Sequence, residues 1–232
     1  MLKLPVYALT PFTLLDYPGK TACIVWFSGC NMRCGYCHNP EIVKGGKGKY
    51  SVEETVAFLE KRKGLLDGVV LSGGEATLYK DIVPFTETVK DFGYAVKLDT
   101  NGTRPDIVRT LLERNLLDYV ALDYKAPKSA FHKVTETDLF APFSKTLRLL
   151  TQQDDVPFEV RTTVHSGLLG TDEIDEIAAD LAQKGYRTTY YVQNYINNNG
   201  EPVLGNLAAQ TTPLDTKSLA RPPDFTLSFR NF

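Results

Sequence analysis

Short apolar stretches alternate along the chain with longer amphipathic ones. We predict strands at 21–27, 68–73, 94–100, 119–125, 157–165 and 188–194. We predict helices near 51–63, 80–92, 104–115, 138–153 and 171–184. Alternating strands and helices are typical of a parallel sheet with helical crossovers. Six such units fit either a doubly wound sheet or a partial (β/α) barrel.

Polar residues within these strands favour the barrel. In the strand at 157–165, Glu159 and Arg161 share one face and apolar residues occupy the other. A closed (β/α)8 barrel fills its interior with branched apolar side chains, so a polar face indicates an open barrel around a polar ligand. Edge strands with one solvated face are the alternative. We therefore predict an α/β fold, a partial (β/α)6 barrel similar to a TIM barrel and open on one side.

Unusual polar residues follow the C-terminal ends of the predicted strands. The segments in question are Cys30–Cys37, Ser72–Glu75, Asp99–Gly102, Asp123–Lys125, Arg161–His165 and Gln193–Tyr195. Parallel α/β folds bind their ligands at this edge of the sheet. We expect the functional site there.

Composition excludes some classes of protein. Lys and Arg number 26 and Asp and Glu 28, which gives a net charge of −2 over 232 residues and excludes nucleic-acid binding by bulk positive charge. No apolar run has the length of a membrane span, and the first residues lack the layout of a secretory signal, so we expect a cytoplasmic protein without a membrane partner. We expect a barrel at 1–196 and a C-terminal extension at 197–232, rich in Asn, Pro and Thr up to residue 223, which packs on or covers the barrel.

The cysteines cluster near the first strand. Cys30, Cys34 and Cys37 form a C-x3-C-x2-C run, which in a cytosolic protein indicates a metal or redox site. Three thiolates can hold three irons of a [4Fe–4S] cluster and leave the fourth open to a ligand. Cys23 lies inside the strand, where we expect a buried small hydrophobic residue; a fourth cluster ligand is the alternative.

Zinc is the competing metal. Its ligands would be the three cysteines of the run together with His38. Structural zinc sites usually pair two ligand doublets a dozen or more residues apart, and the sequence has no second doublet. Cys37 and His38 are also adjacent, which makes joint chelation awkward. The run therefore favours an iron–sulfur cluster.

The cysteine run resembles the radical S-adenosylmethionine (SAM) superfamily. That superfamily has an aromatic residue before the last cysteine, here Tyr36, and a GGE motif after the second strand, here Gly73-Gly74-Glu75. Three further motifs resemble the glycyl-radical-enzyme activating enzymes, among them the activating proteins of anaerobic ribonucleoside-triphosphate reductase and pyruvate formate-lyase. These motifs are Asp16-Tyr17-Pro18-Gly19, Cys37-His38-Asn39-Pro40 and Asp99-Thr100-Asn101-Gly102.

The resemblance implies a function. A [4Fe–4S] cluster would bind SAM at its open iron and cleave it reductively to methionine and a 5′-deoxyadenosyl radical. That radical would take a hydrogen atom from a glycine of a partner glycyl radical enzyme, with anaerobic ribonucleotide reductase favoured. The chain has no cysteines for further clusters, so the electron would come from flavodoxin or ferredoxin.

The resemblance also implies roles for individual residues. Cys30, Cys34 and Cys37 would hold the cluster. The predicted cofactor contacts are Tyr36, His38, Gly74, Glu75, Asp99, Thr100, Asn101, Asp123, Lys125, Arg161 and Gln193. In this assignment the aromatic rings lie against the adenine, the GGE turn approaches the SAM amino group, and the acidic residues neighbour the methionyl carboxylate together with a monovalent cation. No catalytic side chain is predicted beyond the cluster and SAM.

Simpler roles remain open for several of these residues. Asp123 and Lys125 could form a structural ion pair, and Arg161 could pair with Glu159. Other functions also remain open: a radical SAM enzyme that acts on a small molecule, a nucleobase or a peptide, or a zinc-stabilised binding module. The identity of the metal separates the binding module from the enzymes, and the substrate separates the enzymes from one another.

Overall fold

A computed structural model describes residues 2–197, 204–205, 207–210 and 212–232. Its strands are β1 (Val6–Thr13), β2 (Ala22–Phe27), β3 (Gly68–Gly73), β4 (Ala95–Thr100), β5 (Tyr119–Asp123), β6 (Phe158–Val164), β7 (Thr189–Asn194) and β8 (Thr226–Arg230). Its helices are α1 (Pro40–Lys44), α2 (Val52–Glu60), α3 (Ile82–Asp91), α4 (Pro105–Glu113), α5 (Phe131–Thr135), α6 (Phe140–Thr151) and α7 (Thr171–Gln183), and a 3₁₀ turn spans Ala76–Leu78.

The eight strands form one sheet in chain order, β1 to β8. β1 pairs antiparallel with β2, and every later neighbour is parallel. Within the described residues β1 and β8 pair with no second strand, so the sheet ends at both. The predicted α/β fold with an open, partial barrel is confirmed.

The two faces of the sheet differ as predicted from the strand pattern. Val96, Leu98, Val120 and Val160 lie on the helix-covered face and are fully buried, in one apolar core with the inner sides of the helices. The opposite face turns into the barrel. It carries Lys97, Asp99, Asp123, Glu159 and Arg161 alongside a smaller apolar group around Ile24 and Val70. The polar face therefore lines the interior.

Local signals explain where the helices begin and end. Ser51 caps α2, because its hydroxyl accepts from the Glu54 N–H while the Glu54 carboxylate accepts from the Ser51 N–H. At α7 Gly170 precedes the helix, and its N–H donates to Glu173 at 2.7 Å. In the described part of the chain no helix has the length and apolar character needed to cross a bilayer.

The ends of the sheet were the least predictable part. β1 was not predicted, and its proline and polar residues give no clear strand alternation. β8 extends the sheet beyond β7. Part of the predicted extension, at 198–203, 206 and 211, lies outside the described residues. The domain boundary at residue 196 stays a prediction.

Candidate functional site

The three cysteines of the C-x3-C-x2-C run lie in the loop between β2 and α1. Cys34 is buried, whereas Cys30 and Cys37 are half-buried. The Cys37 N–H donates to the Cys34 carbonyl at 2.9 Å, and the Met32 N–H lies 3.4 Å from the Cys30 sulfur. This tight folding brings all three sulfur-bearing residues to the wall of one cavity. Cys23 is fully buried within β2, away from that wall.

The glycine pair after β3 packs directly against this loop. The Gly74 N–H donates to the Phe27 carbonyl at 2.8 Å, and the next N–H, of Glu75, donates to the Gly29 carbonyl at 2.9 Å. A Cβ on Gly74 would lie 2.0 Å from that same Gly29 oxygen. Only glycine permits this approach of the two backbones. The GGE turn thus fixes the start of the cysteine loop.

Glu75 is buried beneath the turn and holds two strand ends together. Its Oε1 accepts from the Thr77 N–H and hydroxyl and from the Thr100 hydroxyl at 2.9 Å, and its Oε2 accepts from the Asn101 N–H at 2.6 Å. Burial raises the pKa of this carboxyl, and the hydrogen bonds oppose the rise. Glu75 therefore connects the ends of β3 and β4 through its hydrogen bonds.

Asn101 connects the end of β4 to the cysteine loop. Its Nδ2 donates to Asn31 Oδ1 at 2.9 Å and lies 3.8 Å from the Cys30 sulfur. Its Oδ1 accepts from the N–H and hydroxyl of Thr103. An amide is suited to this position because it donates to one side and accepts from the other.

A row of alternating charges crosses the barrel interior at the ends of β4, β5 and β6. Arg161 Nε donates to Asp123 at 2.5 Å, and its Nη2 lies 3.3 Å from Asp99. Lys97 binds the other oxygen of Asp99, and Lys125 donates to Asp123 at 3.0 Å. Arg161 thus pairs with the two aspartates and not with Glu159, which decides between the alternatives left open by the sequence.

The side chains of this row stabilise one another in their charged forms. Burial alone raises the pKa of the Asp123 carboxyl, but Arg161 and Lys125 outweigh it and hold that pKa below its usual range. Burial lowers the pKa of Lys125 and Arg161, but their neighbours, Asp123 first among them, together more than reverse this and raise the pKa of both groups. All three groups are therefore charged at neutral pH.

These residues surround a cavity of about 290 Å³. Of the predicted site residues, it is lined by Cys30, Cys34, Cys37, Tyr36, Gly74, Asp99, Thr100, Asn101, Asp123, Lys125 and Arg161. Sequence reasoning missed Trp26 in this wall, because every residue of β2 is apolar and its two faces look alike. It also assigned no role to Lys97, whose deep burial is a product of the folded sheet.

Three predicted cofactor contacts lie outside the cavity wall. Glu75 sits beneath it, as described above. His38 stacks on Tyr195 with ring centroids 5.0 Å apart, and its Nε2 lies 3.0 Å from the Ile196 carbonyl oxygen. Gln193 is on β7, in register with Thr163 and Arg230, and does not line the wall. Direct contact of these three with a ligand stays a prediction.

The cavity is suited to a polar, zwitterionic ligand beside a thiolate-bound centre. It combines three thiols, three carboxylates and two cations, and the buried Tyr36 hydroxyl has no hydrogen-bond partner among the described residues. Burial raises the pKa of the Cys34 thiol to about 11, so a thiolate there needs a nearby positive charge such as a metal. No three His, Cys, Asp or Glu residues in the described ranges converge on one point as around a single ion. Three thiols on the wall of one cavity suit a cluster in which each cysteine binds its own iron.

Comparison with known proteins identifies the family. A sequence profile of the radical SAM superfamily matches residues 24–182, from β2 to α7. The chain belongs to the radical SAM superfamily. It is therefore a radical SAM enzyme, and this family uses a [4Fe–4S] cluster and SAM.

Individual relatives indicate which group within the superfamily this chain resembles. A protein of Methanocaldococcus jannaschii that is named as a glycyl-radical enzyme activating enzyme is 33% identical over 185 residues, which cover 76% of this chain and 75% of the relative. A 7-carboxy-7-deazaguanine synthase of Koribacter versatilis is 28% identical over 164 residues, or 66% of each chain. The crystal structure of Streptococcus suis SuiB bound to S-adenosylmethionine superposes with a TM-score of 0.63 at 12% identity, over 87% of this chain and 48% of that one. The identity to the Methanocaldococcus jannaschii protein supports a place in the glycyl-radical-enzyme activating group. The superposition on SuiB shows the fold alone.

Proposed function

We propose that this radical SAM enzyme activates a glycyl radical enzyme, with anaerobic ribonucleotide reductase as the favoured partner. The observation that carries the proposal is the 33% identity, over three-quarters of both chains, to an activating enzyme of this kind. The motifs around the cysteines and at the end of β4 belong to the same group. The substrate is then a glycine in a loop of a large protein.

The cysteine loop would hold the cofactor. Cys30, Cys34 and Cys37 would each bind one iron, and Asn101 Nδ2, 3.8 Å from the Cys30 sulfur, would orient the first of these ligands. When bound, the [4Fe–4S] cluster would supply the one-electron reduction that cleaves SAM to methionine and a 5′-deoxyadenosyl radical, and the glycine of the partner would be the hydrogen donor. The electron donor would be flavodoxin or ferredoxin.

The charged row would bind the methionyl end of SAM. Lys125 and Arg161 carry positive charges for its carboxylate, and Asp99 and Asp123 hold those cations in place. Carboxylate and hydroxyl oxygens at the end of β4 would also suit a monovalent cation. Because these side chains already pair with one another before SAM binds, little reorganisation is needed on binding.

The apolar and aromatic wall would exclude water from the reacting atoms. Tyr36 is buried, and the ring of Trp26 is fixed by its Nε1–H, which donates to the Thr10 hydroxyl at 2.9 Å. A radical must not meet bulk solvent, and rings held in place on one side of the cavity would help to provide this protection. Within the described residues the sheet is open between β1 and β8, and a loop of the partner would enter there.

The experiment is anaerobic reconstitution with iron and sulfide, followed by reduction and EPR spectroscopy with and without SAM. We expect a reduced cluster signal that shifts when SAM is added, formation of 5′-deoxyadenosine, and a glycyl radical signal after addition of an anaerobic ribonucleotide reductase. The Cys34→Ala variant should show no cluster signal, no 5′-deoxyadenosine and no glycyl radical. Cys23→Ala, which changes a cysteine outside the cavity, is the matched control. SAM cleavage without a glycyl radical on any glycyl radical enzyme would contradict the activase function.

A small-molecule function is the second candidate, supported by the 28% identity to a 7-carboxy-7-deazaguanine synthase. The same reconstituted enzyme would then form 7-carboxy-7-deazaguanine from a free small-molecule substrate in the absence of any partner protein. Product formation from the free small molecule, with no glycyl radical, would favour this function over activation.

A further inference from the structure

Glu159 is a buried carboxylate that needs a cation. It lies on β6 with 5% of its surface exposed and faces the barrel interior. Arg161 stands two residues further along the same face, close enough for its flexible side chain to reach Glu159. A buried carboxylate without a paired cation is strongly unfavourable. One of the interior cations must therefore neutralise it.

That cation is Arg230, from the last strand. Its Nη1 and Nη2 lie 3.5 Å and 3.2 Å from the two oxygens of Glu159. The guanidinium lies over the Tyr191 ring at 3.5 Å from the centroid, and the Tyr119 hydroxyl is 3.4 Å from Glu159. The parallel pairing of β8 with β7 puts Arg230 in register with Gln193 and so on the inner face. Arg230 lies beyond the residues 24–182 that match the superfamily.

We propose that Arg230 is a positioning residue for SAM binding, an inference that rests on the proposed function. By neutralising Glu159, it leaves Arg161 bound to Asp99 and Asp123 at the cavity wall. Without Arg230, Arg161 is the cation on the same strand and face as Glu159, and its Nη1 has no hydrogen bond among the described residues. Arg161 would turn toward Glu159, and the two aspartates would lose their shared partner.

A double-mutant cycle on Glu159 and Arg230 tests this role. Arg230→Gln should weaken SAM binding to the reconstituted protein by about tenfold, or about 1.4 kcal/mol. Glu159→Gln should bind SAM normally, and the double variant Glu159→Gln/Arg230→Gln should return to within about twofold of the wild type, because Arg161 then has no competing carboxylate. Arg230→Lys, which keeps the charge, should restore most of the affinity. Isothermal titration with SAM gives these values, and thermal melts confirm that each variant folds.

A second readout is independent of the cluster. In the ¹⁵N-labelled, cluster-free protein, the Nε–Hε signal of Arg161, assigned with Arg161→Lys, should shift in Arg230→Gln and return in the double variant. A double variant as defective as Arg230→Gln in both measurements would overturn the proposal, because β8 would then act only through the fold. An unchanged Arg161 signal in Arg230→Gln would also overturn it. If the Arg161 signal behaves as expected but the wild type does not bind SAM, the proposed function fails and the positioning of Arg161 stands.

Discussion

Gly74→Ala should disturb the site through the backbone alone. The added methyl group would lie 2.0 Å from the Gly29 carbonyl oxygen, 2.6 Å from its carbon and 3.2 Å from the Cys30 nitrogen. All of these are backbone atoms, and they are held by further hydrogen bonds, including one of 2.6 Å from the Gly29 N–H to the Ile42 carbonyl. The clash can be relieved only if the start of the cysteine loop moves.

The loss in free energy of unfolding follows from the contacts that Gly74→Ala disrupts. Overpacking costs about 1–3 kcal/mol, and loss of the hydrogen bond from the Glu75 N–H to the Gly29 carbonyl adds about 1 kcal/mol. The sum of about 2–4 kcal/mol corresponds to a fall in Tm of about 4–16 °C for a chain of this size. Because the displaced segment leads into Cys30, the variant should also take up less iron and sulfide on reconstitution.

Thermal melts of the cluster-free protein and iron analysis after reconstitution measure both effects. Gly170→Ala is the control, since Gly170 has a φ of −111° and the nearest atom to its added Cβ is 3.4 Å away. It should lose less than about 1 kcal/mol and keep its iron. A Gly74→Ala protein that melts within about 2 °C of the wild type with a full iron content would refute the reasoning.

Three further predictions concern Glu75 and the cysteines. Glu75→Gln should cost about 1–3 kcal/mol in a denaturant melt at neutral pH, because an amide N–H would face the N–H of Asn101 or the hydroxyl donors. Burial raises the pKa of Glu75, so its contribution to stability is complete below the unfolded pKa and is lost as the pH rises through the folded one. The stability gap between wild type and Glu75→Gln should thus widen as the pH falls from neutral toward the ordinary pKa of an unfolded glutamate, about 4.3; a narrowing gap would contradict this. Cys23→Ala should keep its iron and Cys34→Ala should lose it, and equal iron contents would argue against the ligand assignment.

The sequence by itself determined the parts of this protein that depend on local pattern. The six central strands and their helices follow from apolar runs and helical periodicity, because the spacing of apolar residues differs between a strand and a helix and marks the face that each buries. The C-x3-C-x2-C run and Gly73-Gly74-Glu75 indicated the chemistry, since ligand spacing and close backbone approach restrict the residue types. Strand alternation also placed Asp99, Asp123 and Arg161 on one polar face.

Only the tertiary structure decided which groups on that face meet. Alternation gives the face of a residue but not its partner, so Arg161 could equally have paired with Glu159 until β8 brought Arg230 to that carboxylate from the far end of the chain. The same holds for His38, which stacks on Tyr195 outside the cavity although it follows a cysteine that lines it. Such contacts join residues remote in sequence, and their energies depend on burial and on competing charges, which exist only once the sheet has assembled.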